Sequence, residues 1–257
     1  ASVEASDIRN VSLGALSLGS LTVRAGDGTD DGVGALGIAQ ATSDDAVAVA
    51  MTLLSVAIEV TGGMVDIIAS GKSCVAAAGV CSVSTEAAST VLLRGSVAID
   101  LVLAGSSHVS ATARNHAAAA GGFSLSSSGA ASISAEAQSI LRIHCTLSAR
   151  SVVHSSASTA ASSAGLVLNS VANVSEIIFV ISSVSITAKI VDSSTVIAIS
   201  RSIAPAAAVG VACRASESTF SIANSTTFEI TMSLASNSSV HADASAYGAA
   251  AGGVTLS

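Results

Sequence analysis

Tryptophan is absent, tyrosine occurs once and phenylalanine four times, so aromatics make up 2% of a chain that is 50% hydrophobic. A core anchored on large rings is thereby excluded, and packing falls to Ala, Val, Ile and Leu. Proline also occurs once, at Pro205, so little interrupts a ladder of backbone hydrogen bonds. Charge is scarce at 11%, and Ser and Thr alternate with β-branched residues, the opposite of a disordered composition. Ten basic residues are scattered singly through a chain of net charge −7. That excludes a phosphate-binding surface, which gathers Lys and Arg on one face, and nucleic acid is not expected as a partner.

Mean hydropathy is +0.72, yet the most apolar stretch, residues 177–191, is broken by Ser182, Ser183, Ser185, Thr187 and Lys189. A membrane-spanning helix needs about 20 predominantly apolar residues, so no transmembrane segment is expected in this chain. The residues before Asp7 lack the basic and then apolar pattern of a signal peptide, and the chain reads as a mature or excised segment. The cysteines Cys74, Cys81, Cys145 and Cys213 form no CxxC pair. They read as small buried hydrophobes, with a Cys74–Cys81 bridge in an oxidising compartment as the alternative.

What is present is a repeat. Short Val/Ile strands recur at Val23, Val65, Val109, Val152, Val196 and Val240, and each is followed by a small-residue patch ending at Gly37, Gly79, Gly121, Gly165, Gly210 or Gly253. Two landmarks keeping one period of about 43 residues indicate a repeat architecture. A third landmark alternates apolar and mostly polar positions: Val56–Val60, Val97–Leu101, Leu141–Cys145, Val184–Ala188 and Phe228–Met232. Spacing of two puts one set of side chains inside and the other in water. Ile58, Ile99, Ile143, Ile186 and Ile230 are therefore expected to form one interior stack, since a one-residue slip would turn every one of them outward. The fold class expected is all-β, a single right-handed β-solenoid (β-helix) spanning 1–257 without separate domains. Each repeat is expected to make two coils of 21–22 residues, giving about twelve coils and a rod near 55 Å at roughly 4.8 Å per coil. One wide coil per repeat is the alternative. The Ala and Gly clusters are expected where opposite walls approach closely.

Catalytic chemistry is sparse. No Gly-x-Ser-x-Gly elbow or phosphate loop appears, and the five histidines share no ligand spacing, so no enzyme activity and no cofactor are expected. Asp27, Asp30 and Asp31, with Asp44 and Asp45, form the densest acidic cluster. They read as a solvated turn, with a Ca²⁺ site as the alternative. Four of the six asparagines begin Asn-x-Ser/Thr: Asn10, Asn173, Asn224 and Asn237. Chance in so Ser-rich a chain supplies roughly one or two such matches, so N-linked glycosylation at these four, and secretion, are expected.

The stretches Ser170–Ser175 (SVANVS) and Val80–Thr85 (VCSVST), with the repeat and the low-aromatic texture, resemble large repetitive β-helix surface proteins of kinetoplastid protists. That resemblance implies a cell-surface or extracellular location and no catalysis. Bacterial adhesin passenger domains share the composition, and the sequons favour the former. Two roles are expected to compete, a structural fibre protomer and a surface adhesion module. The fibre is favoured by phase: the chain halts just after Gly253, and residues 1–21 resemble the second half of a repeat. Joined tail to head, the seam nearly restores the period, so head-to-tail self-association into a homo-oligomer or filament is expected, with a longer parent chain cut at a repeat boundary as the alternative.

Overall fold

The computed structural model describes residues 7–9, 12–13, 17–25, 33–42, 48–69, 74–84, 89–127, 131–135, 138–170, 176–180, 183–201, 204–215, 219–223, 226–245 and 248–256. Among them the regular structure is all β-strand, in two sheets whose pairings are all parallel. The architecture is of the parallel β-helix type. One coil shows the plan: Ala131–Ala135, Ile140–Leu147 and Val152–Ala157 belong to the larger sheet, Ala161–Ser162 and Leu166–Ser170 to the smaller. The next coil repeats it with Glu176–Phe179, Ser183–Ile190, Thr195–Ser200, Ala206–Ala207 and Gly210–Ala215. The last coil is Thr219–Ile222, Thr227–Leu234, Ser239–Ala244, Ala249–Ala250 and Gly253–Leu256.

Burial alternates along the strands as period two requires. Ile140–Leu147 and Ser183–Ile190 each hide every second side chain, and the hidden set joins one continuous core from Val56 to Cys213. Each fully buried Val, Leu, Ile or Phe contributes about 1.5–3 kcal/mol relative to exposure.

The ladders correct three expectations. Every pairing joins residues about one whole repeat apart: Val109 faces Val153, which faces Val196, which faces Val240. Each repeat is thus one wide coil, not two, and six coils at about 4.8 Å give roughly 25–30 Å. The two halves of a repeat both alternate because their strands follow one another around one coil instead of stacking on each other. Secondly, Ile99, Ile143, Ile186 and Ile230 stand in register, but Ile58 does not join them. It is buried opposite Leu101, and Val56 takes the place beside Ile99. Ile58 thus stands two residues from the partner expected of it, and a slip of two residues leaves every side chain on its original face. Thirdly, two landmarks move. The valine column is completed by Leu21 and Val153, not Val23 and Val152, and Gly122 rather than Gly121 stands among the stacked glycines.

Those glycines hold the corner between the fourth and fifth strands of the coil. The carbonyl of one coil's glycine passes where a β-carbon of its neighbour would sit, through Gly37, Gly79, Gly122, Gly165, Gly210 and Gly253. At this corner the smaller sheet bends back on itself. Its outer face closes over a second buried cluster of small residues: Cys74, Ala76, Cys81, Val83, Ala117, Ala119, Ala160, Val167, Ala207 and Ala212.

Candidate functional surfaces

The second and third strands are joined by a turn with two successive left-handed residues: Gly105–Ser106, Ala149–Arg150, Asp192–Ser193 and Ser236–Asn237, all with φ between 55° and 67°. A non-glycine residue there costs about 1–2 kcal/mol, and stacking offsets it. The amides of Ser106, Arg150 and Ser193 each donate to the carbonyl of the equivalent turn one coil on, at 2.8 Å. Beneath them runs a column of serine hydroxyls. Gly62 N–H donates to Ser107 Oγ at 2.9 Å, Ser107 N–H to Ser151 Oγ at 3.2 Å, Ser151 N–H to Ser194 Oγ at 3.1 Å and Ser194 N–H to Ser238 Oγ at 3.2 Å. Ser107, Ser151 and Ser194 are fully buried, and the column supplies acceptors for the turn amides of successive coils. Sequence reasoning missed it, because one serine among so many carries no signal. The signal lay in its fixed place just before each third strand.

Of the four sequons, Asn237 lies on this turn, exposed, in the left-handed conformation that asparagine tolerates well. The hydroxyl at the sequon's third position, Ser239, lies 3.1 Å from Thr195 Oγ1. Asn10, Asn173 and Asn224 fall outside the described residues, as do Asp27, Asp30, Asp31, Asp44 and Asp45. No group of three or more His, Cys, Asp or Glu among the described residues could hold a metal ion. No helix among them is long and apolar enough to cross a membrane.

The four cysteines are free and buried. Burial pushes the Cys213 thiol up to about 12 and raises that of Cys145 further, so both behave as inert core side chains. A cavity of about 10 Å³ between Leu93, Val97, Phe179 and Val184 holds at most one water, far below the several hundred Å³ of a small-molecule site.

The outward faces carry mixed groups. Asp100 and His144 pair at 3.5 Å on the second strand's face. On the third strand's face Asp66, Ser110, His154, Ile197 and His241 form one row. Ser110 donates to Asp66 Oδ1. His154 is half-buried with Nε2 enclosed and without a hydrogen-bond partner. Burial first, then the charges of His108 and Arg201, lower its pKa against an opposing pull from Asp66. A histidine whose folded pKa lies below its unfolded value holds its stability at neutral pH and loses it on acidification, because the unfolded state takes the proton first. The denaturation midpoint of the wild type should therefore drop between pH 7 and pH 5 by more than that of His154→Gln. Equal drops would place the acid sensitivity elsewhere.

The last coil presents an apolar surface. Among the described residues, five of the eight exposed large hydrophobics belong to it: Ile222 (49%), Met232 (41%), Leu234 (40%), Val254 (55%) and Leu256 (57%). They occupy inward positions, in register with the buried Phe179, Ala188, Ile190, Val211 and Cys213. Phe228, Ile230 and Val240 are partly covered beside them, and Phe179 packs edge-on against Phe228 with ring centroids 5.2 Å apart. All five strands of this coil pair on one side only, which leaves a row of unpaired N–H and C=O groups around the apolar centre. No protein-family model, curated protein or solved structure matches the chain.

Proposed function

We propose that this chain is a structural, non-enzymatic glycoprotein of the cell surface or extracellular space, a single β-solenoid array over 1–257 that stacks end to end on copies of itself. The observation that supports the reading is the 219–256 coil, whose apolar interior and strand edges repeat those of the coil before it and so match a further coil in register. Such an edge is a template for further strands, and isolated solenoids cover it with polar caps. Burying five half-exposed apolar side chains contributes roughly 4–8 kcal/mol, about the size of the association cost alone. Backbone pairing along the coil supplies the surplus, so the occupant must itself be a coil in register. A further coil meets that requirement whether it continues this chain or belongs to a second copy; we propose the second copy, whose heterologous contact propagates without closing.

Purified 1–257 should lengthen into rods with rising concentration in sedimentation velocity and electron microscopy. Met232→Lys with Leu234→Lys should stop it at the monomer, since both side chains are already exposed and their replacement leaves the fold in place. A wild type that stays monomeric at millimolar concentration overturns the reading and favours the adhesion module. The glycoprotein part is tested on natively sourced material. Glycan mass is expected on Asn10, Asn173, Asn224 and Asn237, and four bare asparagines would refute it.

A further inference from the structure

The bent-back corner of the smaller sheet places two positions of each coil against one another, one at the entry to the fourth strand and one in the fifth. In the last coil they are Gly248 and Thr255, and a β-carbon at Gly248 would lie 3.2 Å from Thr255 Cβ. Following the register back, the pairs are Pro205 with Ala212, Ala160 with Val167, and Ala117 with Ser124. One further coil back, the two places are Cys74 and Cys81. Both are fully buried in the same small-residue cluster, and the Cys81 thiol donates at 3.3 Å to the Ala117 carbonyl, which also accepts from the N–H of Val75 beside Cys74 at 3.2 Å. Disulfides need β-carbons about 3.5–4.5 Å apart, and the 3.2 Å at the glycine-occupied corner, where a real side chain must sit slightly further off, lies just below that span.

We propose that Cys74 and Cys81 close a disulfide across this corner when the chain folds in an oxidising compartment, which rests on the extracellular reading above. The two thiols give up two protons and two electrons to a disulfide oxidant such as oxidised glutathione. An Sγ–Sγ bond forms and two molecules of reduced glutathione leave. Timing follows from burial. Both residues are fully buried, so no oxidant reaches either thiol once the coil has closed; burial first, and then Cys74, also hold the Cys81 thiol well above the ordinary range. The bond is made during folding, and once made it is shielded from reductant. Cys145 and Cys213 stand apart in the main core and stay reduced.

The test is refolding of reduced 1–257 in a glutathione redox buffer, with a parallel sample kept in reductant. The refolded protein should be lighter by two hydrogen atoms, titrate two thiols instead of four, and yield a peptide linking Cys74 to Cys81. Its thermal midpoint should exceed that of Cys74→Ala/Cys81→Ala by about 5 °C. Four free thiols, or a bond involving Cys145 or Cys213, overturn the site. The bond in refolded protein with free thiols in native-source material upholds the site and overturns the extracellular reading instead.

Discussion

Gly122→Ala is expected to cost more than about 4 kcal/mol and to abolish cooperative unfolding of the central coils. A β-carbon there would lie 2.8 Å from the amide nitrogen of Gly165, and closer still to its carbonyl oxygen and to Ser162 Oγ. These are mostly backbone atoms of the adjacent coil, held by the Gly165 carbonyl accepting from Phe123 N–H at 2.9 Å. They cannot retreat without breaking the ladder that defines the coil spacing, and a core packed at crystal density passes the strain on to its neighbours. Ser162 cannot swing clear either, since its hydroxyl donates to the Gly165 carbonyl at 2.6 Å. Gly62→Ala is the matched control. Its φ is +66°, and its nearest would-be contact is the Gly105 carbonyl at 3.7 Å, an ordinary separation. Only the left-handed backbone is then penalised, at about 1 kcal/mol. Three equivalent turns already carry Ala149, Asp192 and Ser236 in that conformation. Denaturant titrations of the two variants separate steric exclusion from backbone preference. Equal losses would show that the glycine corner is not sterically closed.

Ile143→Ala should cost about 4 kcal/mol, near the upper part of the range for emptying a buried isoleucine site. Ile143 has no exposed surface and lies between Ile99 and Ile186 in successive coils. Coils on both sides fix the spacing, so the void cannot collapse, and incomplete relaxation is what makes a cavity expensive. Two substitutions bracket the prediction. Ile140→Ala, on the same strand but 40% exposed on the opposite face, should stay within about 0.5 kcal/mol. Ile230→Ala belongs to the same stack but sits in the open last coil, where it is only partly covered, and should cost about half as much as Ile143→Ala. If Ile143 and Ile230 prove equivalent, a further coil covers the last one under the conditions of measurement. That outcome would itself support end-to-end stacking.

The alternation in Leu141–Cys145, Val184–Ala188 and Phe228–Met232 was enough by itself to determine which side chains turn inward, because the two-residue period is a property of the extended backbone and needs no partner. The length of the repeat was legible for a similar reason: each coil must return to the same turn and the same glycine corner, and those places recur in the chain. Which residue faces which was not legible. Parity allows slips of two, and the ladder sets Ile58 opposite Leu101 instead of Ile99 with no change of face. Coil number was hidden too, since the half-repeats alternate alike whether stacked or side by side, and only the ladders distinguish the two. The serine column and the second cluster around Cys74 and Cys81 exist only because neighbouring turns stack and the smaller sheet bends back. Outward positions such as Val167 and Ala212 thereby become buried. Local chemistry chose the faces, and contacts between residues about 43 positions apart chose the register, the corner and what the corner encloses.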